Sequence, residues 1–149
     1  MREKLKEDLK VAMKAGDRAR IDALRLINAA LKDKDIEARV SGGSVSDADV
    51  LAVLQKMIKS RQESLDIYEK NNRPDLAEKE RSEIEVISSY LPAQLGEAEV
   101  AEAIRAALAE TEAASIKDMG KVLAVLKARY AGRMDFGKAS ALVKAALSG

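Results

Sequence analysis

Apolar side chains recur at helical spacing from one end of this 149-residue chain to the other, and no clear alternating, β-branched run interrupts them. That pattern predicts an all-α fold. Leu5, Leu9, Ala12 and Met13 fall at i, i+4, i+7 and i+8 of a first helix, and Gly16 is placed to close it. Asp17 suits the N-cap of a second helix carrying Ile21, Leu24, Ile27 and Leu31, which fades near Arg39. After the loop Ser41-Gly42-Gly43-Ser44, Ser46 and Asp49 have the spacing of a capping box. They open the longest run, with Val50, Leu54, Met57, Ile58, Leu65 and Tyr68 on one stripe, ending at Asn71-Asn72. Pro74 suits the first position of a fourth helix, whose face is Leu76, Ile84, Ile87 and Leu91 and which Pro92 stops.

Composition shifts just beyond that proline. Of 26 alanines, 16 lie in residues 93–149, so helices there should pack closely. Val100, Ala101, Ile104, Ala107 and Leu108 mark a fifth helix. Ser115 and Asp118 can cap a sixth bearing Ile116, Met119, Leu123, Leu126 and Tyr130, and Asp135 a seventh bearing Ala139, Leu142, Val143 and Ala146. The expected architecture is a four-helix N-terminal domain over 1–92 followed by a small three-helix C-terminal module over 93–149.

The chain has no Cys, His or Trp. A disulfide framework, a thiolate or imidazole zinc site, a Ser-His-Asp triad and a Cys nucleophile are therefore excluded. Carboxylates are plentiful, but they read as solvated faces such as Glu78-Lys79-Glu80-Arg81, and no catalytic pair, metal site or cofactor site stands out. The densely charged opening MREKLKEDLK is unlike an apolar signal sequence, and no stretch approaches the roughly 18 apolar residues of a membrane span. The sequence reads as a cytoplasmic protein.

A formal net charge of +1 argues against a strongly basic nucleic-acid binder, but the charge is unevenly distributed. Residues 1–92 balance 18 basic against 18 acidic side chains, residues 93–114 hold one basic and five acidic, and residues 115–149 hold seven basic and two acidic. The last third can dock phosphates, although such patches also occur as plain solvated faces. Within it, Gly132 to Lys138 has the spacing G-x-x-x-x-G-K of a phosphate-binding loop, yet Ala139 stands where Ser or Thr would hold magnesium and no strand precedes it. What remains is a helix start with Arg133 and Lys138 nearby, either an anion site or a turn capped by Asp135. Gly120, inside the sixth helix, reads as a close packing point or as a place where a ligand approaches the backbone. Lys117 and Lys121 stand one turn apart on the open face. In the N-terminal domain, Arg61 and Glu80 interrupt apolar stripes on the third and fourth helices and are expected to form an ion pair across the hairpin, unless each snorkels to solvent.

Several segments in order resemble the GatB/YqeY family: Ala23 to Ile27, Asp75 to Glu80, the junction Glu83 to Val86 and Tyr90-Leu91-Pro92-Ala93-Gln94-Leu95, then Ser115 to Val122 and Gly132 to Asp135. Where the family-like segment reads KDMGKVM, this chain has Leu123 in the last place. The resemblance implies an all-helical, two-part protein related to the tail of the B subunit of the tRNA-dependent amidotransferase, a carbon–nitrogen ligase with glutamine as amido donor. It implies a tRNA-binding role for the C-terminal module, with Lys117, Gly120, Lys121, Arg133 and Lys138 as contacts, accessory and not catalytic alone. Amidotransferase subunits or other tRNA-related proteins are the implied partners. A helical adaptor that binds protein and no RNA is the alternative.

Overall fold

The computed structural model describes residues 1–148. The last residue of the expected C-terminal module, Gly149, lies outside the described residues. Among those described there are seven α-helices and no strand: α1 (Arg2–Ala15), α2 (Arg18–Val40), α3 (Asp47–Lys70), α4 (Pro74–Ser88), α5 (Glu97–Glu110), α6 (Met119–Tyr130) and α7 (Phe136–Ser148), with a single 3₁₀ turn at Ile116–Asp118 before α6. The chain divides into two compact units, Met1–Leu91 and Pro92–Gly149.

Local chemistry sets the helix ends. Gly16 closes α1 at φ 69°, a conformation that costs a glycine little, and its N–H reaches back to the last turn. The Asp17 carboxylate then accepts the Arg20 N–H at the start of α2. Ser46 and Asp49 form a reciprocal capping box at the start of α3, each side chain accepting the other's backbone N–H. Pro74 occupies the first turn of α4, where its missing N–H leaves no gap. At the other end α4 stops at Ser88, earlier than Pro92, and tightens into i→i−3 bonds from Tyr90 N–H to Ile87 O and from Leu91 N–H to Ser88 O. The residue before a proline disfavours the α conformation, so the last turn unwinds before reaching it.

In the first unit α2 packs against α1, α3 and α4, and α3 and α4 form a hairpin. Its core joins Leu5 and Ala12 of α1, Leu24, Ile27 and Leu31 of α2, Val50 and Leu54 of α3, Ile87 of α4 and Tyr90. In the second unit α5, α6 and α7 all touch one another around Ala103, Ile104, Ala107, Val122, Leu126, Met134, Ala139 and Val143. Alanines at the contacts let these short helices approach closely.

Candidate functional site

The C-terminal segment from Pro92 is fastened to the turn between α6 and α7. Gly132 adopts φ 75°, which turns its carbonyl toward the Gln94 amide, 2.6 Å away. Leu95 N–H donates to Arg133 O at 2.9 Å, and Arg133 Nε donates to Ala93 O at 3.0 Å. The same guanidinium lies 5.9 Å from the centroid of the Tyr130 ring. Arg133 thus helps to hold the Pro92–Leu95 strap through its Nε. An arginine has donors enough to tie down backbone carbonyls, and a charge count does not reveal that use.

The start of α7 is also accounted for internally. Asp135 Oδ1 accepts the N–H groups of Gly137 at 2.9 Å and Lys138 at 3.2 Å. A Cβ on Gly137 would sit 3.1 Å from that oxygen, so the glycine keeps the cap unobstructed. The G-x-x-x-x-G-K spacing is a capped turn with two structural glycines. An external anion at this helix start would compete with a carboxylate already in place. Lys138 remains exposed on the outer side.

The other cluster lies at the opposite end of α6, a helix about 17 Å long at 1.5 Å per residue. Asp118 turns its carboxylate back to the N–H groups of Ala114 at 2.9 Å and Ser115 at 3.1 Å, which shapes the 3₁₀ turn and places Lys117 at its outer edge. Those two N–H donors hold the Asp118 carboxyl below its ordinary range, with the nearby Lys121 charge adding to the effect. Lys117 and Lys121 are both exposed, as is Gly120 between them. A Cβ on Gly120 would meet nothing within 4 Å. The close-packing reading of Gly120 is therefore corrected: the helix here presents open backbone to solvent. Gly120→Ala is expected to stabilise the second unit by about 0.4–1 kcal/mol, measured as a higher midpoint of thermal unfolding. A lower midpoint would contradict the open geometry. Among the other basic residues, Arg129 is paired with Glu110 of α5 at 2.5 Å. The five expected contacts fall into two groups along the chain. Lys117, Gly120 and Lys121 cluster at one end of α6, and Arg133 and Lys138 follow its other end.

In the first unit the ion pair is displaced by one helical turn from the expected one. Arg61 Nε donates to Glu83 Oε2 at 2.9 Å, and its Nη1 donates to Met57 O at 3.2 Å. The side chains are 17% and 8% exposed, so the pair is largely removed from water. Glu80, the partner expected from sequence, is left with a buried Oε2 that accepts no hydrogen bond. The apolar stripe of α4 runs through Ala77 and Ile87, with Glu83 at i−4 from Ile87, and this rotates Glu83 inward toward Arg61. The sequence pattern points to Glu80 because it lies between Leu76 and Ile84, whereas the buried residues of α4 are Ala77, Glu83 and Ile87.

A second polar cluster closes α1 onto the end of α4. Tyr90 OH donates to Asp8 Oδ2 at 2.5 Å, Lys4 Nζ donates to the same oxygen at 3.1 Å, and Arg20 Nη2 donates to the phenol oxygen at 3.3 Å. Burial first, then the Asp8 carboxylate, pushes the Tyr90 phenol up to about 12. The Tyr90 hydrogen bond is the largest influence holding Asp8 below its ordinary range. The tyrosine of the YLPAQL junction is in this way an anchor for α1 and α2, and its proton is held too firmly for acid–base work near neutral pH. A cleft of about 330 Å³ in this unit, open to solvent, is lined by Asp22, Arg25, Leu26, Lys79 and Glu83. Among the described residues no group of three or more acidic side chains is placed to hold a metal ion, and no helix is long and apolar enough to cross a membrane.

A family model described as Yqey-like protein matches residues 2–147. The chain is also similar to curated proteins named altered inheritance of mitochondria protein 41, mitochondrial. The one from Lachancea thermotolerans is 40% identical over 87 residues, covering 58% of this chain and 46% of that protein. The one from Vanderwaltozyma polyspora is 37% identical over 87 residues, with the same coverage of 58% and 46%. The one from Pyrenophora tritici-repentis is 29% identical over 132 residues, covering 85% of this chain and 71% of that protein. The chain spans about half the length of the first two of these relatives. Their mitochondrial names overturn the cytoplasmic placement expected from sequence. Dense charge over the first ten residues argues only against an apolar secretory run and says nothing of an organelle. With a match that extends through both compact units, the chain belongs to the YqeY-like family, which is related to the C-terminal tail of the amidotransferase B subunit.

Proposed function

We propose that the protein is an accessory tRNA-interacting factor whose second unit touches the RNA at the start of α6, and that it does not catalyse transamidation by itself. The observation that carries the reading is the surface at Lys117, Gly120 and Lys121: two exposed cations one turn apart, with helix backbone uncovered between them. A sugar–phosphate chain can approach such a surface closely, because no side chain at residue 120 holds it away. With three Tyr, one Phe and no Trp in the chain, recognition would rest on backbone shape and charge more than on base stacking. Lys138, in the first turn of α7, would add a second contact to the RNA. Amidotransferase subunits are the protein partners that kinship with the B-subunit tail suggests.

Titration of purified protein against labelled tRNA at several salt concentrations tests this. Binding should weaken with salt at a slope of about −0.9 per phosphate contacted. The mitochondrial names of the relatives make organellar tRNA a suitable probe beside bulk tRNA. No binding at low salt would favour a protein-binding adaptor, and glutamine turnover by protein free of amidotransferase would favour an enzyme.

A further inference from the structure

Glu80 Oε2 is a buried side-chain oxygen with no hydrogen-bond partner, and it lies on α4 within the α3–α4 hairpin. Buried polar atoms are nearly always satisfied, so an orphan requires a reason. The surrounding charges supply one. Glu83 and Lys79 on its own helix, and Arg61 on α3, carry the charges that act on Glu80. On the α2 side, Asp22 and Arg25 line a cleft together with Lys79 and Glu83. Arg61 gives its Nε to Glu83 and an Nη to Met57 O, so neither bond reaches Glu80.

We propose that Arg61, Glu83 and Glu80 form a proton-linked clasp between α3 and α4, in which the guanidinium neutralises Glu83 and a proton completes Glu80. A proton converts the orphan acceptor into a donor, and Glu83, three residues on along the same helix, offers a carboxylate to receive it. Burial is the largest influence raising Glu80 above the ordinary glutamate range, the charge of Glu83 is next, and Arg61 and Lys79 oppose them. The sign of the linkage follows. A carboxyl raised in the folded state binds its proton more tightly there than in the unfolded chain. The contribution of Glu80 to the hairpin is therefore fully present below the unfolded glutamate range and is lost as pH rises through the folded value. The clasp concerns the first unit and is independent of the proposed RNA contact.

The test follows the side-chain carboxyl ¹³C resonances of the full chain through a pH titration, in the parent and in Glu80→Gln and Glu83→Gln. Glu80 should titrate above the ordinary glutamate range in the parent. In Glu83→Gln it should fall back toward that range, because Arg61 is released to it and the neighbouring charge is gone. Glu80→Gln should melt about 2–4 °C higher than the parent near neutral pH, with the gain vanishing near the ordinary glutamate pKa of about 4.3. The proposal is overturned if Glu80 titrates at or below the ordinary range, or if the Glu80→Gln difference in melting is the same at both pH values.

Discussion

Replacing Arg61 by methionine is expected to lower the stability of the first unit by about 3–5 kcal/mol, the usual cost of removing one partner from a buried ion pair. Methionine keeps much of the aliphatic volume, so the loss reports on charge more than on a cavity. Glu83, only 8% exposed at its side chain, would be left without its cation, and Glu80 beside it already has an unsatisfied oxygen. Two carboxylates would then lie on neighbouring turns of α4 without the Arg61 cation, and one would have to take up a proton or drag the hairpin open. Against a total stability of about 5–15 kcal/mol for an ordinary domain, that change is large. Urea unfolding followed by circular dichroism measures it. A loss below about 1 kcal/mol would place the pair in the class of exposed salt bridges and contradict its burial.

Leu126→Ala is expected to cost about 2–5 kcal/mol, and the damage should be confined to the second unit. Leu126 is fully buried in the α6 stripe, among the alanines of α5 and α7 and beside Val122 and Val143. The cores of the two units share no buried residue. Amide hydrogen exchange should therefore show faster exchange within Pro92–Ser148 and unchanged protection in α2 and α3. Equal loss of protection in both units would show that they unfold as one.

Helices and their caps were legible in the sequence because they rest on short-range rules. Gly16, Asp17, the Ser46/Asp49 box, Pro74 and Asp135 all act where the pattern placed them. Asp118 also reaches back to the Ser115 N–H, as the Ser115/Asp118 spacing predicts, whereas the 3₁₀ turn at Ile116–Asp118 and the further bond to the Ala114 N–H were not legible. The candidate contacts show a similar division. Exposure of Lys117 and Lys121 follows from helical phase, whereas the capture of Arg133 by the Ala93 carbonyl requires segments 40 residues apart to meet. Glu83 was missed for a related reason. Glu80 and Glu83 lie about one helical turn apart near the same face of α4, and only the packed hairpin fixes which of them meets Arg61.

The most direct measurement compares tRNA binding by the parent and by the Lys117→Glu/Lys121→Glu variant across about 50 to 200 mM salt. Both lysines are exposed and take no part in either core, so the variant should fold normally. If the start of α6 is the RNA contact, the parent binds with a marked salt dependence, and the variant binds at least about tenfold more weakly with its salt slope reduced in magnitude by about 2. Equal affinity and equal slope for the two proteins, or no tRNA binding by the parent at the lowest salt, would contradict it.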